Sequence, residues 1–441
     1  MSARRPLSII AAILFGLCSH QSQAQQTVID CGKLLDVKAG VWREKMSVVL
    51  DHKLIKSILP SDRVDASVKA ENRIDLSGYY CLPGLIDMHV HLSDETKPQV
   101  EQFRAALTLD AADIAFRSIK YAERTLLAGF TTVRDLGASD VLNISLKRAI
   151  DNGDVMGPRM YTAGKSIAST GGHADPSNGL NRKFRNALGK PGPEDGVING
   201  VESAREAIRS RYQEGSDLIK ITATAGVLSQ ASSADNAQFS DEELQALIST
   251  AKDYGFRVAA HAHGNEGIKR ALRAGVDSIE HGTYMDDEAI ALFKQKGAWY
   301  VPTISAGKFV ADKAKIENYY SPLVQPKAAA IGPRIQSTFA RAYKAGVKIA
   351  FGTDAGVFPH GENAIEFGYM VEAGMTPIAA IRSATLNAAE LLNQSHFLGS
   401  LEAGYAADMI AVKADPLKDV KVLEHVAFVM KEGKLIKAAR N

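Results

Sequence analysis

The stretch LIDMHVHL, residues 85–92, indicates the fold more directly than any other part of the chain. Its pattern predicts a β-strand. Because side chains alternate across a strand, His89 and His91 share one face, and Met88 and Val90 share the other. An H-x-H pair alone is weak evidence for a metal site. Whether this pair binds metal depends on whether neighbouring strands also provide side chains that can bind metal.

Between residues 82 and 391, short β-rich runs alternate with longer helical patterns, which favours a parallel β/α architecture. Eight units over about 300 residues match the size of a (β/α)₈ (TIM) barrel. We therefore expect a barrel over residues 82–391. The eight candidate strands are 85–92, 131–137, 158–164, 218–225, 257–263, 278–283, 299–305 and 348–355.

Both ends of the chain differ from this pattern. Residues 25–81 and 392–441 contain strand-like runs separated by turn residues, and both are expected to join in one small β-sandwich beside the barrel. Within the barrel, residues 172–199 lack a confident element, which is consistent with an active-site lid or with a variable surface loop. The basic residues at 182–185 grip a substrate carboxylate or form a solvated face.

The first 24 residues are typical of a signal peptide. Arg4 and Arg5 precede an apolar run at 7–17 and a small-residue cleavage site at 22–24. The run is about half the roughly 20 residues that a membrane span needs, so a stable anchor is the weaker reading. We expect export to the periplasm or outside the cell, where Cys31 and Cys81 either form a disulfide or stay as buried thiols.

The charge of the chain argues against two kinds of partner. Its 52 basic and 50 acidic side chains give a formal charge of +2, and removal of Arg4 and Arg5 would leave 50 of each. No basic stripe is present, which argues against binding to nucleic acid or to an anionic membrane. We expect a small-molecule substrate.

Six side chains that can bind metal lie at the ends of predicted strands. A lysine that faces a barrel core is costly unless it is neutralised or paired, and a carbamate formed with CO₂ would make Lys220 an anionic ligand. Together the six groups suffice for two divalent metal ions and predict a hydrolase that uses metal-activated water. They are His89, His91, Lys220, His261, His281 and Asp354.

The motifs GLIDMHVHL, IKITATAGV, HAHG, SIEHGT, GTDAGVFPHG and LEAGYAADMIAV resemble the amidohydrolase superfamily. The resemblance is to the branch that contains imidazolonepropionase-like proteins, Xaa-Pro dipeptidases and ochratoxin-hydrolysing amidohydrolases. It implies two metal ions, with zinc as the usual expectation, and a homo-oligomer such as a ring or octamer. It also implies that His89, His91 and Asp354 bind one metal, that His261 and His281 bind the other, and that carboxylated Lys220 bridges them.

Three of these ligands are also the expected catalytic side chains, namely Asp354, His281 and Lys220. We expect Asp354 to take a proton from the attacking water and to deliver it to the leaving amine. His173 and His263 are candidate substrate ligands, because each lies near the mouth of the predicted barrel. His360 either joins them or only caps the following helix.

Four apolar residues beside the predicted fourth and eighth strand ends could bind an aromatic acyl group, or could merely pack loops. They are Val227, Leu228, Val357 and Phe358. The leading function is hydrolysis of an amide with an amino-acid leaving group, as in a carboxypeptidase, an Xaa-Pro dipeptidase or an N-acyl amino acid hydrolase. Ochratoxin A, a phenylalanine amide, is one such substrate.

Two other classes of function compete with this reading. Heterocycle deaminases and cyclic-amide hydrolases, imidazolonepropionase included, often carry an acidic residue after the fifth-strand histidine, as in H-A-D-E. Here His263 and Gly264 occupy that place, and Lys220 is present. A metal-dependent protein that only binds its ligand is the third class, but none of the six predicted ligands is missing.

Overall fold

The structure is a computed structural model that describes residues 27–65, 69–231 and 233–439. The predicted signal peptide, residues 1–24, lies outside these ranges. In the described part of the chain, no helix has the length and apolar character that a membrane span requires.

The described residues contain seventeen β-strands. In chain order they are β1 Val28–Asp36, β2 Val41–Asp51, β3 Leu54–Pro60, β4 Arg73–Pro83, β5 Leu85–Val90, β6 Phe130–Asp135, β7 Arg159–Thr162, β8 Ala168–Ser169, β9 Val197–Ile198, β10 Ile219–Thr222, β11 Val258–Ala262, β12 Ser278–His281, β13 Trp299–Val301, β14 Lys348–Ile349, β15 Met409–Val412, β16 Phe428–Lys431 and β17 Lys434–Lys437.

Thirteen α-helices connect or follow these strands in the described ranges. They are α1 Gln99–Thr108, α2 Ala111–Leu127, α3 Leu142–Asn152, α4 Arg182–Leu188, α5 Val201–Glu214, α6 Asp241–Asp253, α7 Asn265–Ala274, α8 Asp287–Lys296, α9 Ile304–Lys313, α10 Gln325–Lys344, α11 Ile365–Glu372, α12 Pro377–Ser383 and α13 Leu386–Leu391.

Eight strands that alternate with helices form two parallel sheets, in the orders β5-β6-β7 and β10-β11-β12-β13-β14. All eight lie where the sequence predicted strands. Parallel bridges lie at both seams between the sheets: Val90 of β5 pairs with Ala355, which follows β14, and Ile221 of β10 pairs with Ile167, which follows β7. The carboxyl ends of all eight strands therefore point to one side of the molecule.

The chain after β14 passes very close to its neighbours. A Cβ atom added to Gly352 would lie 2.3 Å from Cγ1 of Val301 and 3.1 Å from Cβ of His89. Only glycine allows this approach. It brings the following Thr353 and Asp354 against the end of β5.

Both ends of the chain join one seven-stranded sheet, in the order β17-β16-β15-β4-β1-β2-β3. The strands of both ends surround one apolar core, which includes Ile29, Val48 and Met409. Leu54 of β3 forms an antiparallel bridge with Ala406, just before β15, so the far edge returns towards the middle of the sheet. Cys31 and Cys81, on the neighbouring strands β1 and β4, form a disulfide with 6.1 Å between their Cα atoms.

The 172–199 segment contains more regular structure than its sequence indicated. Helix α4, a short 3₁₀ turn at Pro193–Asp195 and strand β9 all lie within it. Asn181 caps α4 by accepting hydrogen bonds from the backbone N–H groups of Lys183 and Phe184. The segment is thus a folded excursion at the same side of the molecule as the strand ends.

Candidate metal centre

The six predicted ligands meet at the carboxyl ends of the parallel strands, around a cavity of about 620 Å³. Two groups of close ligand atoms can be distinguished among the described residues. One consists of His89, His91 and Asp354 and the other of His261, His263 and His281, with all ligand atoms of a group within 4.8 Å of one another. The rings of His89 and His281 are 5.1 Å apart, so the two groups adjoin.

In the first group, two imidazole nitrogens converge on one carboxylate oxygen. Oδ1 of Asp354 lies 3.4 Å from Nε2 of His89 and 3.3 Å from Nε2 of His91. This oxygen is buried and has no hydrogen-bond partner. A buried carboxylate oxygen without a partner is costly, and a cation between these three atoms would satisfy it. The residues present therefore fit a divalent metal.

The second group contains three imidazoles rather than the two that were predicted. The ring of His281 lies 4.7 Å from that of His261 and stacks on that of His263 at 4.8 Å. Nδ1 of His263 lies 2.8 Å from Oγ1 of Thr283. His263, predicted as a substrate ligand, thus lies among the candidate metal ligands.

Lys220 lies beside the first group and lines the same cavity as both groups. Its Nζ is 3.5 Å from Nε2 of His89, and the side chain is buried. Burial lowers the pKa of Lys220 to about 8. A neutral amine is the form that reacts with CO₂, so the site favours the chemistry that a carbamate ligand requires.

Burial also keeps most of the imidazoles neutral. It lowers the pKa of His89 to about 4 and that of His263 to about 3, and it lowers the pKa values of His261 and His281 well below their usual range. His91 differs: burial opposes its charged form, but the negative charge of the nearby Asp354 carboxylate raises its pKa. Neutral imidazole is the form that binds metal.

Two candidate ligands adopt a backbone conformation that L-residues rarely occupy. The φ angle is 70° at His281 and 60° at Asp354. His281 ends β12, Asp354 follows β14 by five residues, and both side chains line the cavity. Such strain costs about 1–3 kcal/mol per residue and is concentrated at functional sites.

A buried carboxylate that the sequence motifs did not reveal lies behind the first group. Glu280 accepts a hydrogen bond from Nδ1 of His89 at 3.0 Å and one from Nη2 of Arg134 at 2.8 Å. Because a carboxylate can only accept, the proton of His89 lies on Nδ1 and Nε2 is free to bind metal. The sequence signal for this contact was a charged residue inside each of two buried strands, Arg134 in β6 and Glu280 in β12.

Two further buried carboxylates support the first group. Asp135 accepts from the backbone N–H of Leu92 at 2.8 Å and from that of Gly137 at 3.2 Å, and the Gly137 carbonyl accepts from Nδ1 of His91 at 2.8 Å. Asp87 accepts from the backbone N–H groups of His89 and Thr353. These contacts fix the strand ends that carry the candidate ligands.

Several predicted substrate contacts line the cavity. They are His173, His263, Val227, Leu228 and Val357, and other apolar side chains from α9 and α10 join them, among them Val310, Ile331 and Ile335. Phe358 does not line it, because its side chain is buried in the core and packs near Phe309. One wall of the cavity is thus continuously aliphatic.

Two other predicted candidates lie away from the cavity. The basic residues 182–185 are exposed on α4 and do not line it. His360 is buried, stacks on Tyr121 at 4.9 Å and lies 2.8 Å from the Asp94 carbonyl through Nε2. It therefore holds the loop after β5 and does not face the ligands.

Comparisons with known proteins agree with this geometry. The profile of the amidohydrolase family matches residues 80–436. The chain is 31% identical over 455 residues to the ochratoxinase of Aspergillus niger, across 98% of this chain and 89% of that protein.

Solved structures extend the comparison. A crystal structure of a Xaa-Pro dipeptidase with methionine bound in the active site is 50% identical, with a TM-score of 0.89, and the match covers 93% of this chain and 99% of that one. A prolidase complexed with N-methylphosphonate-L-proline is 32% identical, with a TM-score of 0.81, over 94% and 100% of the two chains.

Proposed function

The chain belongs to the amidohydrolase family and is a hydrolase that acts on amide bonds, and we propose that it releases an amino acid from an N-acyl amino acid or a dipeptide. The buried, unpartnered Oδ1 of Asp354 between two imidazoles is the observation that carries this proposal. An oxygen in that setting is suited to hold a cation and to move a proton.

We propose that the site holds two divalent metal ions and that these are zinc, which suits imidazole ligands. His89, His91 and Asp354 would hold one ion, and His261 and His281 the other, with carboxylated Lys220 between them. When bound, such ions lower the pKa of water to about 7 and polarise a carbonyl. Asp354, the Lys220 carbamate and the water-derived anion would offset the charge of the ions.

The proton moves through Asp354. Burial opposes its ionised form, but His89 and His91 lower its pKa, so the carboxylate is ionised at neutral pH. It accepts a proton from the attacking water at one oxygen and delivers it to the nitrogen of the leaving amine. His173, which stacks on His261 at 4.2 Å, and His263 would orient the substrate carbonyl or carboxylate.

The aliphatic wall supports an apolar acyl group as the other half of the substrate. Val227, Leu228 and Val357 would pack against it. The relatives named above include an ochratoxinase, a Xaa-Pro dipeptidase and a prolidase, and these names support the same substrate class. We propose ochratoxin A as one substrate, cleaved to ochratoxin alpha and phenylalanine.

We also propose that the two parallel sheets close into one (β/α)₈ barrel over residues 82–391, with 25–81 and 392–441 forming one β-rich domain. The bridges at both seams support closure. The Cys31–Cys81 disulfide supports export to an oxidising compartment after removal of residues 1–24. The exposed apolar side chains of α1, Val100, Phe103 and Leu107, support a homo-oligomer.

Mass spectrometry of the products tests the proposed function. The purified mature protein is incubated with Xaa-Pro dipeptides, N-acyl amino acids, ochratoxin A and heterocyclic deaminase substrates, with and without a chelator. We expect release of a free amino acid that the chelator abolishes and added zinc restores. Ammonia or a ring-opened product would contradict the proposal.

A further inference from the structure

Helix α9 begins beside the candidate metal centre without a cap from its own N-cap residue. Thr303 occupies the N-cap position, but its side chain accepts no hydrogen bond from the helix. Instead Oγ1 of Thr303 lies 2.7 Å from Nδ1 of His281. A threonine at this position ordinarily bonds the N–H groups of the first turn. Here the Thr303 hydroxyl instead contacts His281, a candidate metal ligand.

The backbone of Thr303 shows the cost of this arrangement. Its φ angle is 51°, in the left-handed region, whereas an N-cap residue is ordinarily extended. A β-branched residue is an outlier there, and it persists only where the surroundings hold it in place. Something outside helix α9 must therefore satisfy the first N–H groups of the helix and keep Thr303 in position.

A buried side chain from another helix accepts hydrogen bonds from the first N–H groups of α9. Glu366, near the start of α11, is 0% exposed and accepts from the backbone N–H of Ile304 at 2.8 Å and from that of Ser305 at 2.7 Å. The hydroxyl of Ser305 lies 2.5 Å from the same carboxylate. Glu366, which lies 61 residues beyond Ser305, thus provides the hydrogen-bond acceptors for the first turn of α9 that the Thr303 side chain does not provide.

We propose that Glu366 is a positioning residue for the metal centre: it caps helix α9 in place of Thr303 and thereby frees the Thr303 hydroxyl to orient His281. For Nε2 of His281 to bind metal, its Nδ1 must carry the proton and donate it to an acceptor, which is Oγ1 of Thr303. The chain of contacts runs from Glu366 through residues 303–305 to His281. The inference rests on the proposed metal centre.

The test measures zinc affinity with a competing chromophoric chelator in three single variants, one double variant and one control variant. Glu366→Gln removes one backbone acceptor, Thr303→Val removes the hydroxyl, and Thr303→Ser keeps it. We expect Glu366→Gln and Thr303→Val each to weaken binding of one of the two zinc ions by about tenfold, because such outer contacts are worth about 10- to 100-fold in affinity. Thr303→Ser should behave as the unmodified protein.

The double variant Glu366→Gln/Thr303→Val separates positioning from a general loss of stability. If Glu366 acts through Thr303, the double variant should bind zinc no more weakly than Thr303→Val alone. Ser240→Ala, which removes the cap of α6 through the N–H of Glu243, is the matched control. It should lower the melting temperature and leave zinc affinity unchanged.

A second measurement does not depend on metal. Amide hydrogen exchange of the peptide that contains residues 303–306, in the metal-free protein, should be about tenfold faster in Glu366→Gln and unchanged in Thr303→Ser. Zinc affinity within twofold of the unmodified protein in Glu366→Gln, or independent losses that multiply in the double variant, would overturn the inference. If either of these outcomes is found while the unmodified protein binds two zinc ions and cleaves amides, only the role of Glu366 is rejected. An unmodified protein that binds no zinc would reject the proposed metal centre as well.

Discussion

Oε2 of Glu280 accepts a hydrogen bond from Nδ1 of His89 at 3.0 Å, with both side chains buried. The other oxygen of the same carboxylate accepts from Arg134 at 2.8 Å. The three residues come from the neighbouring regions of β5, β6 and β12, so one buried carboxylate connects the two parallel sheets. It also fixes which nitrogen of His89 faces the cavity.

Replacing Glu280 with glutamine should destabilise the protein strongly. The change would leave the Arg134 guanidinium buried without its counter-ion, and breaking a buried pair from one side costs about 3–5 kcal/mol. Urea unfolding followed by circular dichroism measures the effect. The control is Glu44→Gln, which breaks the exposed pair with Lys33 and should not change the midpoint. Equal midpoints for the unmodified protein and Glu280→Gln would contradict this account.

The same carboxylate should make stability depend on pH in the acid range. Burial raises the pKa of Glu280, but Arg134 and the His89 hydrogen bond outweigh it and lower the pKa from 4.5 to about 2. A lowered folded-state pKa stabilises the protein above pH 4.5, and this contribution is lost as the pH falls towards 2. The difference in free energy of unfolding between the unmodified protein and Glu280→Gln should therefore shrink over this range. A difference that stays constant or grows would argue against an ionised Glu280.

Loading of the metal-free protein should depend on CO₂ and on the neutral form of Lys220. With the pKa of Lys220 at about 8, the neutral fraction is about 3% at pH 6.5 and about 75% at pH 8.5. At the same concentration of dissolved CO₂, we expect zinc uptake to be much faster at the higher pH, because CO₂ reacts with the neutral amine, and ¹³C-labelled CO₂ to give a carbamate signal by NMR. Lys220→Met should show neither the signal nor the uptake of two zinc ions. A Lys220→Met protein that still binds two would refute the carbamate.

A polar substitution in the aliphatic wall should weaken use of apolar substrates. Val357→Thr keeps the shape but places a hydroxyl against the acyl group, which we expect to lower kcat/KM for an aromatic N-acyl amino acid about 5- to 20-fold. The matched control is Val41→Thr, at a position that is 54% exposed on β2. Similar kinetics for both variants would show that Val357 packs only against protein.

Much of this organisation could be predicted from sequence. The eight strands were predictable because each combines β-branched residues with a polar residue at its end, and the six ligands because they interrupt apolar faces. His89, His91 and Asp354 do lie together, as the motifs implied. The local pattern is sufficient here, because residues at the carboxyl ends of parallel strands meet at the same face of the barrel.

What could not be predicted depends on contacts between distant segments. The roles of Glu280 and Glu366 follow from hydrogen bonds to His89 and to residues 304–305, which no local pattern reveals. The strand order that joins both chain ends in one sheet could not be predicted either, because alternation predicts strands and not their pairing. The sequence also left open whether Phe358 lines the cavity or packs against protein, because it gives the neighbours of a side chain but not its rotamer.

Turnover of Asp354→Asn tests the central claim most directly. The amide keeps an oxygen that can face a cation but cannot take up the proton of the attacking water, and general acid–base catalysis contributes about 10²- to 10⁴-fold. We expect release of the free amino acid to fall at least about 100-fold while bound zinc is retained. Asp140→Asn, which changes another carboxylate that lines the cavity, should stay within threefold of the unmodified protein. Turnover of Asp354→Asn within the same threefold would contradict the account.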